Sequence, residues 1–254
     1  MTSQIPKIIH YCWFGGNPLP ELAKKCIASW RKFFPDYEIK EWNENNFDID
    51  QVVYTAEAYR LKRYAYVSDF VRFWVLYHYG GIYFDTDVEV IRPMDDIIAR
   101  GSFAGFECQK GSLQDNPHGD MAAGLGMGAA PGHPFFAQML NHYNHIHYVK
   151  WNGKGSGIVV RQTERFLDYE HKETLHDGIV RVSGLLIYPE DYFCPLNYFT
   201  QEMRVTENTR SIHHYMTSWK QPISRWKKLY LRSQYIYVRI LCQLRCNISK
   251  QQNK

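Results

Sequence analysis

Two aspartates, Asp85 and Asp87, follow directly on the apolar run Ile82-Tyr83-Phe84. On extended backbone, residues i and i+2 point the same way, so this spacing sets two carboxylates side by side. Like charges that close repel, and a divalent cation relieves the repulsion. Hard oxygen ligands select Mg²⁺ or Mn²⁺ over zinc. By itself an Asp-x-Asp is equally a solvated turn at a strand end. A second charged pair argues for more. Asp69 and Arg72 interrupt the mostly apolar stretch Tyr64–Tyr79, and at spacing i, i+3 they share one helical face. Charges on a buried helix must pair or must face a polar cavity. The two therefore close an internal salt bridge or reach a polyhydroxylated ligand.

The elements that must position these groups read as an α/β sheet. Lys7 to Phe14 is a short apolar and aromatic run ended by Gly15-Gly16, which predicts a buried strand entering a turn. A helix is expected over Glu21 to Phe34, with Leu22, Ala23, Ile27 and Trp30 on one face, and a second strand over Tyr37 to Trp42. Strand, helix and strand at this spacing make a βαβ unit and a mostly parallel, Rossmann-like sheet. Tyr64 to Tyr79 predicts a buried helix capped by Gly80-Gly81, before the strand that carries the aspartates. Open α/β sheets bind ligands at the carboxyl ends of their strands, which is where Asp85 and Asp87 fall. Residues 119–136, rich in Gly, Ala and Pro, read as irregular loop with a short element, and Asp177 to Phe193 as further strands.

Composition bounds the class. The chain has 254 residues, 45% hydrophobic and 22% charged, enough apolar material for one sizeable folded domain and too much for disorder. No uncharged apolar run reaches the ~18 residues of a membrane span, and Met1 to Ile9 lacks the zones of a signal peptide. Six scattered cysteines without a C-x-x-C pair form neither a disulfide framework nor a zinc site. A cytoplasmic setting is expected. Residues 1–207 hold all 26 acidic groups and 20 of the 30 basic ones, a net of −6; the other ten basic residues lie beyond. The division expected is a catalytic domain over 1–219 and a basic helical tail over 220–254. Within the tail, 223–246 sets Trp226, Leu229, Tyr230 and Ile240 against Arg225, Lys228, Arg232 and Arg239. Such a helix packs on the domain or lies peripherally on an anionic inner membrane face. The acidic body argues against nucleic acid.

Taken in order, the motifs form a family pattern. I-P-K-I-I-H-Y-C-W-F-G-G at 5–16, S-D-F-V-R at 68–72 and G-G-I-Y-F-D-T-D at 80–87 resemble glycosyltransferase family 32. G-H-P at 132–134, Y-P-E-D-Y-F-C-P at 188–195 and T-E-N-T-R-S-I-H-H-Y-M-T-S-W at 206–219 extend the likeness. That family includes the D-x-D sugar transferases of capsule and lipopolysaccharide synthesis, the yeast initiating mannosyltransferases and relatives of the clostridial glucosylating toxins. The resemblance implies a GT-A fold, Mn²⁺ or Mg²⁺, a UDP- or GDP-hexose donor, a saccharide or lipid-linked acceptor and retention of anomeric configuration. It implies that Asp85 and Asp87 hold the metal and the donor diphosphate, that Asp69 and Arg72 bind the sugar, and that Trp13 stacks on the base. Asn45 is a further donor contact. Ser218 and Trp219 would reach the leaving group. Of His213 and His214, one completes the metal shell, and His214 is favoured because alternation sets it on the face of Ile212.

Departure of a nucleoside diphosphate develops negative charge that a metal and nearby donors stabilise. Front-face attack is the most economical mechanism. Double displacement would need a carboxylate such as Glu107, Asp115 or Asp120. A haloacid-dehalogenase-type phosphohydrolase also places D-x-D after a strand but leaves Trp13, the Asp69/Arg72 pair and His213–Trp219 unexplained. A non-catalytic sugar-binding protein predicts a broken metal site, yet both aspartates are present.

Overall fold

The computed structural model describes residues 4–107, 121–148, 172–198 and 201–216. The opening βαβ unit forms where the sequence sets it: β1 (Ile8–Cys12), α1 (Glu21–Phe33) and β2 (Glu38–Trp42). β1 pairs in parallel with β2 and with β3 (Gly81–Tyr83), so Ile9 lies between Ile39 and Ile82. Ile9 and Tyr11 pack into one apolar cluster and Cys12 into another, on opposite faces. A strand covered on both sides reads as a continuous apolar run, as β1 does. Trp30 and Ile27 of α1 join the first cluster. The second is built from α2 (Val53–Arg60), α3 (Tyr64–Tyr79) and α5 (Pro134–Tyr143) through Tyr54, Phe70, Phe73 and Tyr143.

After β3 the chain continues through β4 (Val88–Val90), α4 (Asp95–Ala99), β5 (Phe103–Gly105) and β6 (Met127–Ala129). Beyond α5 follow β7 (Glu173–Thr174), β8 (Val180–Val182), β9 (Leu185–Tyr188), α6 (Glu190–Phe193) and β10 (Ser211–His213). The main sheet has the order β2-β1-β3-β6-β5-β9-β8-β7, and only β6 and β8 run against the other six strands. It is the mostly parallel α/β sheet that the βαβ pattern calls for. β4 leaves this sheet and pairs antiparallel with β10. β6 lies in the stretch that reads as irregular loop. Its Gly128 is required by packing, because a Cβ there would run into the Phe103 ring, and that small residue hides the strand from a propensity reading. No helix among the described residues is long and apolar enough to cross a membrane.

One buried histidine ties the parallel strands together. His10 is fully buried; its Nε2 faces the Gly80 carbonyl at 2.9 Å and its Nδ1 accepts from the Trp42 indole at 3.0 Å. Those two partners fix the neutral ring with its proton on Nε2. Burial lowers the His10 pKa from 6.5 to about 4, against the Gly80 carbonyl, which favours the charged ring. The unfolded chain therefore takes up a proton before the folded one does. The stability contribution is complete above pH 6.5 and is lost as pH falls toward 4. Denaturant titrations of wild type and His10→Gln should show wild type more stable at pH 7. That advantage should shrink by up to about 3 kcal/mol by pH 4.

Candidate active site

The D-x-D segment is a turn rather than extended strand. β3 ends at Tyr83, and the Val88 N–H donates to the Asp85 carbonyl at 3.0 Å, closing a turn over Asp85–Val88. This turn is where the chain passes from the main sheet to the β4–β10 pair. The Asp85 carboxylate is held from three sides. Its Oδ1 accepts from the Tyr83 hydroxyl at 2.9 Å and from Arg72 at 3.2 Å. Its Oδ2 lies against Gly124, where any Cβ would collide with it.

Arg72 joins the two charged pairs that the sequence presents separately. One guanidinium nitrogen stands 3.1 Å from Asp69 Oδ1 and 3.2 Å from Asp85 Oδ1. Of the two sequence alternatives the internal salt bridge is present, and it extends to the D-x-D turn. Arg72 is buried, and its Nε, itself shut off from solvent, has no hydrogen-bond partner. Burial pushes the Asp69 carboxyl up to about 6, with Arg72 opposing and Asp85 adding to the rise. Tyr83 was not singled out in the sequence; its place two residues before Asp85 was the signal.

The imidazole that joins the aspartates belongs to His213, not to His214. β10 pairs with β4 in the register Ser211–Val90, Ile212–Glu89 and His213–Val88. Residues directly opposite share a face, and Val88 and Val90 are buried. Ser211 and His213 therefore turn inward, whereas His214 pairs with Glu89 at 2.8 Å beside Lys25. Ile212 misleads because it sits on the partly exposed face. His213 Nε2 stands 3.2 Å from Asp87 Oδ1. Burial opposes its charge, yet Asp87, with Glu107 and Asp85, raises its pKa above the ordinary value. Burial likewise works against the Asp87 carboxylate, but His213 and the Met216 N–H, 2.7 Å from Oδ2, hold its pKa down. Tyr215 takes the left-handed region at φ 52° to aim that N–H, a strain of about 1–3 kcal/mol for a residue with a Cβ.

Ligand atoms of Asp85, Asp87 and His213 all lie within 4.8 Å of one another, the one such metal-competent group among the described residues. Two carboxylates and an imidazole suit Mn²⁺ and accept Mg²⁺, so the donor set fits a hard divalent ion.

The remaining sequence candidates border this edge. Trp13 and Asn45 follow β1 and β2 and so stand at the same sheet end as Asp85. Trp13 is half-buried, and its indole N–H donates to the Asn17 carbonyl at 2.6 Å. Asn45 is exposed in the turn after β2, where its N–H donates to Asn43 Oδ1 at 2.9 Å. The Gly15 N–H is held by Glu44, which also accepts from Tyr59 at 2.9 Å. Glu107, past β5, lies near enough for its charge to act on Tyr215 and His213. Ser218, Trp219, Asp115, Asp120 and the tail helix at 223–246 lie outside the described residues.

Comparison with known proteins matches residues 20–104 to the family described as "Glycosyltransferase sugar-binding region containing DXD motif". The chain is 25% identical over 210 residues to inositol phosphoceramide mannosyltransferase 1 of Schizosaccharomyces pombe, covering 75% of this chain and 60% of that one. It is 28% identical over 213 residues to mannosyl phosphorylinositol ceramide synthase CSH1 of Saccharomyces cerevisiae, covering 77% and 50%. The chain thus spans between a half and three fifths of the length of these two relatives. The solved PaToxG glycosyltransferase aligns on 65% of this chain and 68% of that one, at a TM-score of 0.48 and 17% identity. The matched span contains Asp69, Arg72, Asp85 and Asp87 in the spacing described above, and over this third of its length the chain is similar to the DXD-motif glycosyltransferases, as its motifs are.

Proposed function

We propose that the chain is a metal-dependent, retaining glycosyltransferase that moves a hexose from a UDP- or GDP-sugar to a saccharide or lipid-linked acceptor. The observation that carries this reading is one continuous set of groups. Asp69, Arg72 and Asp85 form a buried, charged grip, and Asp85 is shared with the metal-competent trio it forms with Asp87 and His213. Mannose as the hexose and a membrane lipid as acceptor are supported by the names of the two fungal relatives. A setting in capsule or other surface polysaccharide assembly follows the family resemblance. In this reading the enzyme works on the cytoplasmic side, peripheral to the membrane through the basic segment 223–246.

In this reaction the bond between the anomeric carbon and the diphosphate oxygen breaks, and the acceptor oxygen attacks from the same face. A divalent ion held by Asp85, Asp87 and His213 would offset charge on the departing diphosphate. Asp69 accepts from sugar hydroxyls, and Arg72 holds that carboxylate and Asp85 in place. Trp13 offers its indole face to the base. The leaving phosphate takes the acceptor's proton, so the chain needs no nucleophile of its own.

The direct check is a thermal-shift panel of UDP- and GDP-sugars with Mn²⁺, with Mg²⁺ and with EDTA. Wild type should be stabilised by one nucleotide class, only with metal, and Asp87→Ala by none. Phosphate release from simple phosphoesters without metal-dependent nucleotide binding would move the assignment to a phosphohydrolase.

His213→Ala should weaken Mn²⁺ affinity by about 100-fold. His214→Ala removes only the Glu89 contact and should change stability by about 1 kcal/mol or less, with metal affinity retained. Calorimetric metal titration of the two variants separates them.

Gly124→Ala drives a methyl group into Asp85 Oδ2. Its circular dichroism spectrum should match wild type while turnover falls by about 100-fold, the cost of misplacing a catalytic group by an ångström or so.

A further inference from the structure

The Gly15-Gly16 turn leaves β1 at the sheet end that also carries the D-x-D turn. Both glycines take left-handed backbone, at φ 96° and 66°. A Cβ on Gly15 would run into the Tyr64 ring, which packs at 5.4 Å against Tyr59. The Gly15 N–H donates to Glu44 Oε1, and the Tyr59 hydroxyl donates to the same oxygen at 2.9 Å. One half-buried carboxylate from the turn after β2 therefore ties the loop after β1 to α2. Among the described residues no cation pairs with it, so these two donors are its engagement.

The loop held in this way carries Trp13. At its start the Trp13 N–H donates to the Trp42 carbonyl at 2.9 Å, and the Trp13 indole N–H reaches forward to the Asn17 carbonyl at 2.6 Å. The indole closes the loop on itself, with Gly15 at the middle. Where the Asn17 carbonyl sits decides where the indole plane lies. The two adjoining glycines between them are the most pliable link a backbone offers, and Glu44 removes that freedom by bonding the first of them.

We propose that Glu44 is a positioning residue for the nucleotide base, holding the Gly15-Gly16 turn so that the Trp13 indole face is set before the donor arrives. The inference rests on Trp13 stacking on the base, as in the function proposed above. A platform ordered in advance spares the cost of ordering it on binding. The donor site then has two separately held halves, one built on Arg72 and His213 and the other on Glu44. A base contact is made alike in the ground and transition states, so its loss raises donor KM and leaves kcat in place.

The test titrates Glu44→Ala, Glu44→Gln and Tyr59→Phe with UDP and with GDP in the presence of Mn²⁺. It also measures kcat and donor KM for hydrolysis of whichever UDP- or GDP-hexose stabilises wild type most. Glu44→Ala should weaken binding of the nucleotide that wild type prefers by about tenfold. Donor KM should rise by the same factor, with kcat within about twofold of wild type. Glu44→Gln keeps an amide oxygen that accepts both bonds and should stay within about threefold of wild type. Tyr59→Phe removes one bond of the two and should fall between them. Mn²⁺ binding without nucleotide should be unchanged throughout, and in a Trp13→Ala background Glu44→Ala should have no further effect. Unchanged nucleotide affinity in Glu44→Ala would overturn the inference and leave the glycosyltransferase reading standing. So would a loss that persists in full with Trp13→Ala, a fall in kcat without a rise in KM, or a matching loss of Mn²⁺ binding. Should Glu44→Ala fail to fold, Tyr59→Phe decides, and a wild-type donor KM in that variant overturns the inference. Wild type that binds neither UDP nor GDP with Mn²⁺ would overturn both.

Discussion

A guanidinium taken out of water must have its charge met on the spot. The idealised cost of burying an ion is on the order of 20 kcal/mol, and several kcal/mol remain after relaxation. Arg72 meets this requirement by sharing one nitrogen between Asp69, on its own helix, and Asp85, on the turn after β3. Loss of either carboxylate would leave the buried cation with a single counter-charge. The position of α3 against the sheet, the conformation of the D-x-D turn and the absence of a side chain at Gly124 are all fitted to that contact. Such a buried ion group does not make a fold more stable than well-packed apolar residues would. It fixes geometry, and here the geometry is a buried polar grip at the edge of a mostly parallel sheet.

The second half of the site has a different origin. Asp87 is held by His213 of β10 and by a backbone N–H from Met216 just after that strand, about 130 residues later in the chain. The left-handed backbone of Tyr215 serves the same end. Its ring lies 4.2 Å from that of His213, and its hydroxyl meets the Cys194 sulfur at 2.9 Å. The two carboxylates of one short motif are therefore stabilised by unlike means. A cation from a neighbouring helix holds Asp85, and an imidazole with a peptide N–H holds Asp87.

Much of this was legible in the sequence where periodicity and charge coincide. The βαβ opening, the buried helix at 64–79 and the placement of Asp69 and Arg72 on one face follow from spacing alone. Two features escaped because local pattern and tertiary packing disagree. β6 reads as loop, since its Gly128 answers to the Phe103 ring rather than to strand propensity. His213 was passed over for His214 because alternation was counted from Ile212. The informative alternation was in the partner strand, where Val88 and Val90 face inward around Glu89.

The route of the chain through the D-x-D turn has a consequence for how the protein matures. The turn is the point at which the polypeptide leaves one sheet for another, and its second sheet is completed only by β10. A nascent chain that has emerged through α5 already contains both aspartates, the arginine and most of the core, yet lacks the imidazole and the peptide N–H that secure Asp87. Closing a loop that long is entropically slow. The site is thus completed only once β10 has been made, and a chain that stops short of it carries an open, unfinished site.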